Sequence, residues 1–220
     1  MLKFILFIVL VAVSMPILAL QQVPKEATEW TQAQTEGADK SDLPRVLLLG
    51  DSICLGYRDD VSKHLTGKYY VDRLATSRSI DQDYYWKQLE LTFIDQKYDI
   101  ICFNFGLHGF HINANDYYKG LDKLAKVLKE KCPKVCYLLT TPMNYMIGHP
   151  EAIEKNKIVL ERNEIAKRVM AKNNIEILDL YTLVDGNLDV RAGDIYHYNE
   201  KGCALFGKVI AEQIEKMYNK

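Results

Sequence analysis

Ser52, Asp194 and His197 are the three residue types that acyl-transfer chemistry combines. A serine hydroxyl is a weak nucleophile until a base takes its proton. An imidazole serves as that base when a carboxylate fixes its tautomer through Nδ1 and leaves Nε2 free. Ser52 stands in Gly50-Asp51-Ser52-Ile53, directly after the apolar run Arg45-Val46-Leu47-Leu48-Leu49. A strand ending there presents the hydroxyl at the carboxyl edge of a sheet, where open α/β folds bind ligands. If a helix begins at the serine, its own N–H also faces a developing oxyanion. Asp194-Ile195-Tyr196-His197 precedes a helical pattern from Glu200, and in a turn that spacing lets the carboxylate reach the ring. Each piece alone is ordinary. A Gly-Asp-Ser triplet is commonly a turn or a helix cap, and an isolated Asp-x-x-His is commonly a polar loop. Together, in this order, they point to hydrolysis of esters.

A third stretch, Phe103-Asn104-Phe105-Gly106-Leu107-His108-Gly109, closes another apolar strand. Gly106 permits a tight turn, and a donor at His108 or Asn104 would then project over the same sheet edge to stabilise a tetrahedral oxyanion. Asp51, Asn104 and Gly106 are therefore further candidates. His108 and His111 are three apart, but a metal site needs three or four converging ligands and no third is evident. No metal and no organic cofactor is expected.

The elements that must position these residues alternate. Strands are expected at Val46–Leu49, Tyr69–Leu74, Tyr98–Phe105, Val135–Leu139 and Ile175–Leu180. Helices are expected at Asp83–Phe93, from Asn115 or Asp116 to Pro133, at Glu151–Lys172 and at Glu200–Tyr218, with a short weak candidate at Val61–Leu65. In the last helix Phe206, Ile210, Ile214 and Met217 share one face. Strand–helix alternation with long connections implies a three-layer α/β/α fold, a flavodoxin-like parallel five-stranded sheet with helices on both faces. The chain of 220 residues is long enough for one sizeable core. A formal charge of −1 argues against nucleic acid as a partner. Five cysteines (54, 102, 132, 136 and 203) do not read as a disulfide scaffold. Met1-Leu2-Lys3 followed by apolar Phe4–Val13 reads as a secretory signal peptide over residues 1–20, with an uncleaved anchor as the alternative. Residues 21–42 read as a flexible polar lead-in and 43–220 as the catalytic domain. A secreted or periplasmic protein follows, membrane-anchored if the leader is retained and otherwise without stable membrane insertion.

On Gly50-Asp51-Ser52-Ile53, Asp194-Ile195-Tyr196-His197 and Gly106-Leu107-His108-Gly109, the chain resembles the SGNH (GDSL-type) hydrolase family. The resemblance runs from about Arg45 to about Met217 and implies a serine esterase. It assigns Ser52 as nucleophile, His197 as base and Asp194 as its orienting carboxylate. Gly-Leu-His stands where the family usually has Gly-x-Asn-Asp, so His108 takes the place of the oxyanion asparagine. The usual glycine turn after the second strand is Ala75-Thr76-Ser77-Arg78-Ser79 here, so Ser77 or Arg78 would supply the other N–H beside that of Ser52. Arg78 has a second reading as a partner for an anionic substrate group. Within the family a small-molecule or carbohydrate ester is the expected partner, and acetyl or other acyl groups on carbohydrate the favoured substrate. An O-acetyltransferase, a lysophospholipase or thioesterase, and a non-catalytic binding protein are the alternatives. Tyrosines 57, 84, 85, 145, 196 and 198 are candidates for stacking on sugar rings.

Overall fold

Val46 and Leu48 point to one face of the second strand, Leu47 and Leu49 to the other, and all four side chains are buried. A strand that is apolar on both faces must lie inside a covered sheet. In the computed structural model, which describes residues 23–94 and 96–220, it does. Six strands, β1 (Thr31–Gln34), β2 (Arg45–Gly50), β3 (Tyr70–Thr76), β4 (Ile100–Phe103), β5 (Lys134–Leu138) and β6 (Glu176–Leu178), form one sheet in the order β1-β3-β2-β4-β5-β6. The five from β2 to β6 are parallel, and their order is that of a doubly wound, flavodoxin-like sheet.

Six α-helices cover the two faces: α1 (Ser52–Leu65), α2 (Asp83–Thr92), α3 (Ala114–Lys131), α4 (Pro150–Asn173), α5 (Leu180–Val184) and α6 (Glu200–Tyr218). Val46, Leu48, Ile100 and Cys102 meet α1 and α6 in one core layer. Leu47, Leu49, Ile101 and Phe103 meet α2, α3 and the second half of α4 in the other. The period of two along β2 and β4 thus builds both layers at once.

Three expectations need correction. The sheet has six strands because residues 31–34, inside the stretch expected to be a flexible lead-in, form β1 antiparallel to β3. Thr-Gln-Ala-Gln carries no strand pattern of its own. It is held by β3, whose Thr76 hydroxyl meets that of Thr31 at 2.8 Å, and by Ser77 just beyond β3, whose N–H donates to Trp30 O at 3.1 Å. The folded domain accordingly starts well before residue 43. The weak helical candidate near Val61 is the end of a full helix, in which Ile53, Tyr57, Val61 and Leu65 recur every fourth residue on the buried side. The expected leader over residues 1–20 lies outside the described residues. No helix among the described residues is long and apolar enough to cross a membrane. All five cysteines are unbridged thiols.

Candidate active site

β2 ends at Gly50, and the chain turns directly into α1. Asp51 is the N-cap of that helix, its carboxylate accepting the Ile53 N–H at 2.9 Å. Ser52 is therefore the first helical residue rather than the cap. A first-turn N–H has no acceptor inside its helix, so the Ser52 N–H is left at the positive end of the helix dipole.

The loop ahead of α6 brings the other two residues from the far end of the chain. Asn199 caps α6 through the Gly202 N–H at 3.1 Å, and its amide group also ties down the carbonyls of Asp189 and Arg191. Arg191 donates to Pro142 O at 2.9 Å and lies over the Tyr198 ring. The Asn144 N–H holds Ile195 O at 2.8 Å. The residues flanking His197 are thus pinned to the loop that follows β5.

Within this frame Ser52, His197 and Asp194 form one hydrogen-bonded chain. His197 Nε2 is 2.9 Å from Ser52 Oγ, and His197 Nδ1 is 2.6 Å from Asp194 Oδ2. An ionised carboxylate only accepts, so Nδ1–H donates to Asp194 and Nε2 is left to accept the serine proton. The other Asp194 oxygen takes the N–H groups of Tyr196 and His197 at 2.8 and 2.7 Å. Partial burial works against the Asp194 charge, but these N–H groups and the His197 ring outweigh it and hold its carboxyl below the usual range.

Ser52 and His197 border a cleft of about 510 Å³ whose walls also include Glu26, Trp30, His108, Lys155 and Tyr196. Ser52, at the end of β2, and His108, beyond β4, flank the crevice where crossovers leave to opposite faces of the sheet. The His108 loop is fixed from below by Arg162 of α4, a residue only 2% exposed. Its Nη1 donates to the carbonyls of Gly106 and His108, both at 2.9 Å, and its Nη2 to Gly109 O at 2.6 Å. It packs over the rings of Phe110 and Tyr117 and has no carboxylate partner among the described residues. Burial pulls its pKa below the ordinary arginine value.

The remaining candidates separate. Asn104 is not a cleft donor, because its amide braces the sheet edge through Leu138 O at 2.7 Å and Thr140 Oγ1 at 3.0 Å. Gly106 matters through packing, since a Cβ built there would fall 2.6 Å from Thr140 Cγ2. Gly106→Ala is expected to lower stability by about 1–3 kcal/mol in denaturant unfolding, and an unchanged midpoint would show that Thr140 can step aside. The expectation for Ser77 and Arg78 is overturned. The Ser77 N–H is spent on Trp30 O, and the Arg78 N–H bonds Thr76 Oγ1 at 3.1 Å. The Arg78 guanidinium pairs with Glu29 and lies over Tyr84, outside the cleft wall. The two histidines weighed as metal ligands engage separate carboxylates, His108 with Glu26 at 2.7 Å and His111 with Asp81 at 2.8 Å.

Of the six tyrosines considered for sugar stacking, Tyr57, Tyr85 and Tyr198 are core residues, and among those six only Tyr196 lines the cleft. Trp30, Glu26 and Arg162 carried no local signal. The first two lie in a polar stretch with no pattern, and Arg162 is one of several charged residues on a long helix.

No family model matches the sequence, and no curated protein is matched by it. Solved structures do match. A protein assigned to the SGNH hydrolases from Slackia heliotrinireducens is 18% identical, with a TM-score of 0.64, over 79% of this chain and 100% of that one. A lipase/acylhydrolase from Enterococcus faecalis is 19% identical, with a TM-score of 0.65, over 79% of this chain and 96% of that one. An acetylxylan esterase from Geobacillus stearothermophilus is 15% identical, with a TM-score of 0.63, over 78% of this chain and 94% of that one. At such identities the likeness is one of architecture: the chain has the fold of the SGNH hydrolases.

Proposed function

We propose that the protein is a serine esterase that removes acetyl or other acyl groups from carbohydrate esters. The observation that carries this reading is the unbroken chain Ser52–His197–Asp194 at 2.9 and 2.6 Å, opening on a cleft. Ser52 Oγ attacks the ester carbonyl while its proton passes to His197 Nε2. Asp194 holds the imidazole in register and stabilises the imidazolium. His197 then returns the proton to the departing alcohol, and water, deprotonated by the same ring, releases the acid. The Ser52 N–H and the His108 ring stabilise the oxyanion. Beyond Ser77 and Arg78, the buried Ser79 borders the same cleft and is the best remaining backbone donor on that side.

The carbohydrate class is supported by Trp30 and Tyr196 on the cleft walls, since flat rings with a polar edge suit sugar faces. It is supported also by the acetylxylan esterases among the structural neighbours. A leader over residues 1–20 and an extracellular or periplasmic location belong to the same reading.

A fluorophosphonate probe tests the mechanism. Covalent labelling of Ser52, blocked by Ser52→Ala, is the expected result. Labelling at another residue, or none at concentrations that saturate known serine esterases, would overturn it.

A further inference from the structure

His108 donates to an oxyanion only if a ring nitrogen carries a proton facing the cleft, and Glu26 constrains which one does. Glu26 Oε1 lies 2.7 Å from His108 Nδ1. A carboxylate accepts and does not donate, so Nδ1 carries a proton. In a neutral imidazole that leaves Nε2 with a lone pair, which would repel an oxyanion. Only the imidazolium has an N–H on both sides. His108 Nε2 has no hydrogen-bond partner among the described residues, and the ring, braced edge-on by Trp30, borders the cleft beside Ser52.

We propose that Glu26, on the segment ahead of β1, is a positioning residue that holds His108 as a doubly protonated imidazolium, so that its Nε2–H is a charged donor to the oxyanion. The site then contains two carboxylate–histidine pairs with opposite duties. Asp194 keeps His197 able to take a proton, and Glu26 keeps His108 from losing one. This rests on the esterase reading and extends it.

The charges around His108 come from several elements. Glu26 approaches from the N-terminal segment, Asp51 from the cap of α1 and Arg162 from α4 below the loop. Lys25, Lys155 and His197 stand on the surrounding cleft walls. Burial of the ring acts against its charge, but the bond to Glu26 and the negative charges of Asp51 and Glu26 outweigh it, together with the opposing Arg162. The net direction is upward from the ordinary histidine value, which favours the charged ring.

The sign of the pH dependence follows. Activity falls at alkaline pH as His108 loses its second proton. Glu26→Gln keeps an acceptor for Nδ1 but removes the charge. It is expected to move the descending limb of kcat down by about one to two pH units and to lower kcat about tenfold at the alkaline end of the wild-type optimum, with KM little changed. Glu26→Asp is expected to recover part of the loss. His108→Asn replaces the cation with an amide donor indifferent to pH. In that background the descending limb disappears, and Glu26→Gln has no further effect. Titration of the His108 ring by NMR, in wild type and Glu26→Gln, reads the protonation directly and needs no turnover.

Ser52-dependent hydrolysis with identical pH profiles and identical His108 titrations in the two proteins would overturn the proposal while leaving the esterase reading intact. Absence of Ser52-dependent hydrolysis in the wild type would end that reading and the catalytic role built on it. A Glu26→Gln protein that loses activity with its folding transition shifted, and with the His108 titration unmoved, would mark Glu26 as structural and also overturn the proposal.

Discussion

Ser52→Ala is expected to lower kcat by about 10⁴- to 10⁶-fold while leaving the fold intact. In the proposed mechanism the nucleophile, base and carboxylate act as one unit, so removing the hydroxyl leaves only binding and the oxyanion donors to work on water. The helix does not depend on the serine side chain. Its cap is Asp51, whose carboxylate takes the Ile53 N–H, and alanine is well tolerated at a first helical position. The change in unfolding free energy should therefore stay within about 0.5 kcal/mol. KM for an aryl acetate should be close to that of the wild type. Stopped assays with p-nitrophenyl acetate and thermal unfolding of the same samples check both halves. A variant that keeps a substantial fraction of the wild-type rate would show that Ser52 is not the nucleophile, whatever its distance to His197.

Arg162→Met is expected to have the second largest effect, this time on stability as well as rate. The substitution nearly preserves volume but removes every donor. It leaves the buried carbonyls of Gly106 and Gly109 and the part-buried one of His108 without their partner. An unsatisfied buried acceptor costs about 1–3 kcal/mol. The three, eased by some relaxation of the loop, should cost about 3 kcal/mol or more in total. For a domain of this size that corresponds to a fall in Tm of roughly 6–12 °C. Activity should fall further than the folded fraction alone explains, because the same three bonds hold the loop that carries His108. Arg162→Lys should not restore either property. An ammonium is a point donor, and it cannot span three carbonyls as a planar guanidinium does. A methionine variant with the wild-type Tm would show that water or backbone shifts satisfy the loop without the guanidinium.

The two substitutions separate two kinds of legibility. Ser52, Asp194 and His197 were readable because their neighbours in sequence create their geometry. An apolar run must end somewhere, and Gly-Asp-Ser ends it in a turn with a helix cap. An Asp-x-x-His turn ahead of a helix lets one carboxylate accept both the ring N–H and two backbone N–H groups. Arg162, Glu26 and Trp30 were not readable. Arg162 is charged and sits in a helix with many other charges, and its burial depends on a loop 53 to 56 positions away. Glu26 lies 82 positions from His108. The assignment of Ser77 and Arg78 failed for a related reason. Their N–H groups look free in the sequence, but β1 docks beside β3 and takes up the Ser77 N–H through Trp30.

By itself the sequence determined the order of strands and helices, the parallel doubly wound sheet, and the three residues that meet at its edge. These follow from local rules, namely side-chain periods of two and of about 3.6 and the chemistry of caps and turns, which act over a few residues. The tertiary structure alone decided that a polar stretch becomes a sixth strand, that His108 is held from below by a guanidinium and from the side by a carboxylate, and which backbone donors remain for the cleft. Those outcomes depend on which buried donors and acceptors find each other across the fold. A hydrogen bond between distant positions leaves no periodicity in the chain that makes it.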